Sequence, residues 1–252
     1  MDQEPSRPLL SIIVPVLNEE KLLDATLSVF DRRVRATYRA ELIVSDGGSV
    51  DATLGIAQRH ADVVVYNADG HRQTIAEGRH QGALAATGEV FIFINGDTIP
   101  RDTARFFDTI LTFSRYQGKY AKASALACPV HVAPWERQPL DNVFHNLQNL
   151  YTWLLNLFRI GAGRGECQIV RRSVYERVGG YRQNIAAGED FDLFGRIGLV
   201  ARVRFARECL VYESPRRFRK FGYLPILFSW IRNAFSVMFT GRSSSQEWEQ
   251  VR

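Results

Sequence analysis

The chain has 252 residues, 46% of them apolar and 23% charged, with a formal net charge of +5 and a pI near 9.3. This length and composition exclude a disordered or fibrous chain and suit one α/β domain with peripheral additions, or two small domains. The modest basic excess favours anionic partners: nucleotide diphosphates, lipid headgroups or nucleic acid.

The first eight residues, ending at Pro8, are polar and strand-like residues follow at once, so no signal peptide is expected. No uncharged apolar run reaches the roughly 18–20 residues that a spanning helix needs. Leu10 to Val16 is a continuous apolar run with β-branched residues, the pattern of a strand buried on both faces. Asn18 then reads as a helix N-cap, with Glu19 and Glu20 in a first turn where carboxylates favour the dipole, and Leu23, Leu27 and Phe30 at helical spacing. Leu42-Ile43-Val44 predicts a second strand, followed by a Gly-rich turn and a helix from about Asp51 to His60. Val63 to Val65 is a third strand, Thr74 to Thr87 a helix rich in small residues, and Val90 to Ile94 a fourth strand ending at Asn95-Gly96-Asp97. Such alternation predicts a mostly parallel sheet with helices on both faces. Ligands of such sheets bind beyond the carboxyl ends of the strands.

The second half is less regular. A helix is expected after Pro100, a strand near Ala123 to Val132, a long apolar-rich helix over about Leu140 to Phe158, a loop at Gly161 to Gly165, a short strand at Ile169-Val170 and a helix from Ser173 to Val178. No internal repeat, low-complexity segment or cleanly dividing linker is visible. Cys128, Cys167 and Cys209 are far apart and odd in number, which gives neither a metal spacing nor a disulfide framework. Reduced, partly buried thiols are expected, as in the cytosol. His60, His71, His80, His131 and His145 show no ligand spacing, and only His80, beside Arg79, stands out.

Three strand ends present polar or acidic clusters: Asn18-Glu19, Asp46-Gly47-Gly48-Ser49 and Asn95-Gly96-Asp97-Thr98. Each alone is a common turn, but their placement after successive strands points to one ligand cleft. Asp46 can accept hydrogen bonds from a base or ribose, and Asp97 suits a hard divalent cation bridging phosphates.

Ser11 to Glu20 together with Glu41 to Thr53 resembles the opening of the family 2 glycosyltransferases of GT-A fold. Arg79-His80-Gln81-Gly82 with Gly88-Glu89 resembles the family's next segments, Asn95-Gly96-Asp97 stands at its Asp-x-Asp motif, and Gly188-Glu189-Asp190 resembles its downstream Glu-Asp motif. The match runs from about residue 10 to 222. The resemblance implies a GT-A-type, Rossmann-like α/β domain. Its nucleotide-sugar-binding half would be 1–100, its acceptor and catalytic half 101–222, with an amphipathic helix and tail at 223–252. It further implies that Pro15, Leu17, Glu19, Asp46, Arg79 and Gly96 bind a UDP- or GDP-linked sugar, and that Asp97 holds Mg²⁺ or Mn²⁺ on the diphosphate. Asp190 would be the general base of a single inverting displacement and Glu189 would orient the site; spacing alone leaves the choice between these adjacent acids open, and the motif favours Asp190. Asn95, Glu166, Arg216 and Arg217 would lie near the donor or acceptor. The sequence departs from the pattern twice: Asn95 replaces the first acid of the metal motif, and Gly47 replaces the second acid after Asp46.

Gly161 to Gly165 lacks the full dinucleotide fingerprint. The basic–aromatic run Arg216, Arg217, Phe218, Arg219, Lys220 carries no nucleic-acid reader motif, so nucleic acid is not an expected partner. Leu224, Leu227, Phe228, Ile231, Phe235 and Met238 follow at helical spacing, with Trp230 and Arg232 off the stripe, which fits a membrane surface, a second subunit or the protein's own core. The reading is therefore a glycosyltransferase at the cytoplasmic face of a membrane, with a saccharide or lipid-linked acceptor. A degenerate nucleotide-sugar-binding scaffold is the rival that Asn95 keeps open. A sugar-1-phosphate nucleotidyltransferase is disfavoured because Val16-Leu17-Asn18-Glu19 stands where its Gly-rich basic loop would be.

Overall fold

Residues of Leu10–Val16 face alternately to two sides of a sheet, and both sides are covered. The computed structural model of the protein describes residues 8–67, 70 and 72–240, with the backbone alone at 231, 234, 235 and 237–240. His71, the leading segment 1–7, the tail 241–252 and the Ile231, Phe235 and Met238 side chains of the expected stripe lie outside the described residues. Chain order begins β1 (Leu10–Val16), α1 (Leu23–Ser28), α2 (Arg32–Tyr38), β2 (Ala40–Asp46), α3 (Thr53–His60), β3 (Val63–Tyr66), α4 (Ile75–Ala85) and β4 (Val90–Ile94). It continues β5 (Thr98–Pro100), α5 (Thr103–Ser114), β6 (Ala125–Ala127), β7 (Val130–Val132), α6 (Pro139–Leu157), β8 (Cys167–Arg171), α7 (Arg172–Arg177), α8 (Glu189–Val200), β9 (Val203–Phe205), β10 (Val211–Glu213), α9 (Arg216–Phe221) and α10 (Tyr223–Thr240).

Among the described residues, seven strands form one sheet in the order β3-β2-β1-β4-β8-β6-β9, with β8 antiparallel to both neighbours and the other pairings parallel. A small second sheet has the order β5-β10-β7, β10 running antiparallel to β5 and parallel to β7. On one face Leu10, Ile12, Val14 and Val16 pack with Leu23 and Leu27 of α1, Ile56 of α3 and the Phe106–Phe107 pair of α5. On the other, Ile13 packs with Ala76 and Ala83 of α4, Tyr175 of α7 and Phe194 and Ile197 of α8. The fold is the expected α/β type, a mostly parallel sheet with helices on both faces. Among the described residues no helix is long and apolar enough to cross a membrane.

Local sequence accounts for the elements that frame the cleft. Thr74 caps α4 in a capping box with Glu77. The small residues of α4 let it lie close on β1: a Cβ on Gly82 would sit 2.5 Å from Ile13 Cγ2. α8, a helix not expected from the sequence, begins at Gly188 with φ 87°, and its first turn carries Glu189, Asp190 and Asp192, favourable to the helix dipole. Its Gly195 and Gly198 weaken the helical pattern in sequence, yet Gly198 is where the helix meets the backbone of Gly161.

Two expectations are corrected, and a third, of reduced and partly buried thiols, is extended. Asn18 is not a helix N-cap; it has φ 55°, its amide oxygen accepts from Val50 N at 2.9 Å, and the first helix starts only at Leu23. The single strand expected near 123–132 is two, β6 and β7, belonging to different sheets. The three cysteines, distant in sequence, are wholly buried and free, and Cys128 lies within hydrogen-bonding reach of both Cys167 and Cys209.

Candidate active site

The carboxyl ends of β1, β2 and β4 open into a cavity of about 340 Å³ lined by Pro15, Leu17, Glu19, Gly96, Asp97, Arg216 and Arg217, among others. A second cavity, of about 100 Å³, lies beside it and is lined by Arg79, Arg164, Glu189, Asp190 and Trp230. Ile75, Asn95, Glu166 and Trp230 line both, so the two are compartments of one cleft.

In the larger compartment Arg216 Nη2 donates to Glu19 at 2.5 and 2.7 Å and to Asp97 Oδ2 at 3.2 Å. Burial, with Asp97 adding to it, pushes the Glu19 carboxyl up to about 7. Burial likewise raises Asp97 against the pull of Arg216. Glu166 joins them because β8 runs antiparallel to β4, pairing Ile94 with Cys167, and Asn95 N donates to the Glu166 carbonyl at 3.1 Å. Glu213 joins because β10 runs antiparallel to β5, pairing it with Thr98. Arg164, buried behind them, donates from Nη2 to Glu166 at 2.8 Å and to Glu213 at 3.1 Å. Burial and then Glu166 push Glu213 well above the usual carboxylate range. At Glu166 burial acts upward, but the charge and hydrogen bond of Arg164, with a backbone hydrogen bond, together hold the carboxyl below the usual range. Burial, reinforced by Arg164, holds His145 down to about 3, so this imidazole is neutral.

The smaller compartment is organised by Arg79, wholly buried on α4. It donates to Glu189 Oε1 at 2.7 Å, to Asn95 Oδ1 at 2.9 Å and to the Gly165 carbonyl, and its guanidinium lies 5.5 Å from the Tyr181 ring centre. Glu189 is therefore locked, while the neighbouring Asp190 carboxylate accepts only the Phe191 N–H at 2.9 Å among the hydrogen bonds resolved to it. Burial, then Glu189, raise Asp190 to about 7 against Arg79. A Cβ on Gly165 would lie 3.4 Å from Asp190 Oδ2 and 3.5 Å from Arg79 Nη2, so at this point the loop passes directly over both side chains.

Of the residues singled out in sequence, Asp46 sits differently from the rest. Its carboxylate accepts from Gly48 N and Ser49 N and shapes the turn, and the cavity wall is formed by its neighbours Ser45 and Gly47. His80 faces Tyr175, 3.3 Å away, outside the cleft lining. Arg164, Glu213 and Gln148 belong to the cleft and were not singled out. Arg164 stood within the glycine loop, but nothing in sequence marks Glu213 or Gln148.

A family model described as "Glycosyl transferase family 2" matches residues 11–179. The chain belongs to this family. As a family 2 glycosyltransferase chain it is 34% identical over 93 residues to validoxylamine A glucosyltransferase of Streptomyces hygroscopicus subsp. limoneus, covering 35% of this chain and 20% of that protein. It is 27% identical over 210 residues to a PGL/p-HBAD biosynthesis glycosyltransferase of Mycobacterium tuberculosis, covering 77% and 73%. In three dimensions it is similar to a mannosyltransferase from Pyrobaculum calidifontis solved in complex with GDP-Man and Mn²⁺, with TM-score 0.62 and 19% identity over 83% of this chain and 58% of that one. The chain thus spans one fifth of the first of these proteins and under two thirds of the last.

Proposed function

We propose that the chain transfers a sugar from a UDP- or GDP-linked donor to an acceptor hydroxyl in one displacement that inverts the anomeric carbon. The observation that carries this reading is the shared wall of the two compartments, which brings Asp97, Arg79 and Asp190, distant in sequence, to a single cleft. In this reading residues 1–100 hold the nucleotide sugar and 101–222 supply the acceptor and catalytic elements.

The larger compartment is the nucleotide end. Pro15, Leu17 and Gly96 would wall the base and ribose, with the turn shaped by Asp46 beside them. Arg216 would turn from Glu19 and Asp97 toward the diphosphate, with Arg217 beside it on the compartment wall. Mg²⁺ or Mn²⁺ fits here by donor chemistry: Glu19, Asp97, Glu166 and Glu213 bring hard carboxylate oxygens to the compartment, where Arg72, Arg216 and Arg217 would share the charge of a diphosphate. Asp97 would hold the ion. Among the described residues no three His, Cys, Asp or Glu side chains form a ready-made cage, so phosphate oxygens and water would complete its shell. Bound there, a divalent ion offsets diphosphate charge and improves the leaving group.

The smaller compartment is the acceptor end. Asp190 would take the proton of the acceptor hydroxyl as that oxygen bonds to the anomeric carbon, while the bond to the diphosphate breaks and its electron pair leaves with the phosphate. Arg79 would hold Glu189 and Asn95 in place around it rather than reach the phosphates itself. The acceptor is a saccharide or a lipid-linked molecule presented at the cytoplasmic face of a membrane, where the chain would sit peripherally. The test is Asp190→Asn with a panel of UDP- and GDP-sugars. Release of diphosphate should vanish while donor-induced thermal stabilisation persists; loss of both, or of neither, would refute the assignment of Asp190 as base.

A further inference from the structure

α6 is built inside out. Its buried positions are polar: Asp141, His145, Asn149, Thr152 and Asn156. Asn149 accepts from Val130 N at 3.1 Å and donates to Val130 O at 3.0 Å. Asn156 closes onto both the N–H and the carbonyl of Ala162. Asp141 pairs with Arg219, and His145 lies 3.3 Å from Arg164. These bonds fix the roll of the helix, since turning it to bury its leucines would strand several buried polar groups. The opposite arc, at i, i+3 and i+4 spacing, is Leu140, Val143, Leu147, Leu150, Leu154 and Leu157, and all six are exposed, Leu147 at 62%. Phe158 extends this arc and Phe228 of α10 is also exposed, each at 71%. Phe144, at the edge of the arc, packs on Tyr223 and Trp230, which ties α6 to α10. An apolar face of this extent, held outward by polar bonds beneath it, marks an interaction surface.

Charge selects the partner. From Pro139 to Ile160 the single carboxylate is Asp141, buried under Arg219. α9 and α10 carry no acid; Arg216 and Arg217 line the cleft and Arg219 pairs with Asp141, while Lys220, Arg232 and, just after α6, Arg159 are exposed. A second copy would bring the same cations to this face with no carboxylate to meet them, whereas an anionic bilayer complements both the apolar arc and the cations. We propose that the outward face of α6, with the adjoining exposed part of α10, docks the protein on an anionic lipid bilayer. The same two helices supply Gln148, Trp230 and Asn233 to the compartment that holds Asp190. Resting on the functional reading above, docking would bring an acceptor anchored in that bilayer to the catalytic end of the cleft.

The test is co-sedimentation of the full chain with phosphatidylcholine vesicles, alone or mixed with phosphatidylglycerol, compared with Leu147→Glu/Leu154→Glu. The wild type should pellet with the anionic vesicles, less so at high salt, and the double variant should bind on the order of tenfold or more weakly while melting at the wild-type temperature. If the double variant melts early, Arg159→Glu/Lys220→Glu, which leaves the apolar arc intact, should show the same loss. Wild-type protein remaining in solution, equal binding to both vesicle types, or a dimer that the double variant splits into monomers would each overturn the proposal. The assay reads no catalysis, so its failure leaves the transferase reading standing, and an inactive protein that still pellets leaves this one standing.

Discussion

Asp190 and Glu189 are adjacent in the chain yet chemically opposite. Glu189 is held by Arg79, and Asp190 is left in an acid-crowded compartment with its carboxyl raised to about 7. A base must be ionised to act, so turnover at saturating donor should climb with pH and reach half its plateau near pH 7; a flat profile between pH 5.5 and 8.5 would exclude Asp190 as the titrating group. The same shift bears on stability. The folded state binds this proton more tightly than the unfolded chain, so stability is lost as pH rises from about 4 toward 7. Asp190→Asn removes that loss and should melt higher than wild type at pH 8, with the gap closing at pH 4.5, in paired thermal melts. Arg79 is different, because removing it leaves Glu189 buried without its partner. Arg79→Met should cost about 3–5 kcal/mol in urea unfolding, far more than an exposed arginine would.

At the scale of elements, α6 is the least ordinary helix of the fold. Its apolar-rich sequence reads as a core helix, but the core it faces is the polar floor around Val130, Ala162 and Arg164. Asn149→Leu would add apolar surface yet strand the buried N–H and carbonyl of Val130. We expect it to destabilise the protein by about 1–3 kcal/mol, measured by chemical denaturation. α10 follows the same logic in part. Ile226, Asn233 and the half-buried Trp230 turn inward, whereas Leu224 and Phe228, members of the stripe read in sequence, are exposed.

At the scale of the whole molecule, the two sheets meet at the cleft, and each contributes acids to it: β4 leads to Asp97, β8 follows Glu166, and β10 ends at Glu213. Ligand binding to such a junction stabilises only the folded chain. A nucleoside diphosphate with Mn²⁺ at a hundred times its Kd should add about 2.7 kcal/mol, a rise in Tm of roughly 5–10 °C. Differential scanning fluorimetry with UDP and GDP would show it, and no shift with either would count against the nucleotide compartment.

The sequence by itself determined the central strands of the first half and the polar clusters at their ends. β1, β2 and β4 are buried on both faces, so each carries an apolar run of three or more residues, and the ends of these strands mark Glu19, Asp46 and Asp97 without any tertiary information. It also carried Glu189-Asp190 as a motif, though not which acid is free. That was decided in three dimensions, because the choice depends on where Arg79, 110 residues away, sends its guanidinium. Glu213 and Arg164 were decided there too, since antiparallel pairings between short strands bring them in, and three-residue strands have no periodicity to read. The outward leucines of α6 belong with them: helical spacing shows that a face is apolar, and only the buried polar bonds on the other side show which way it points.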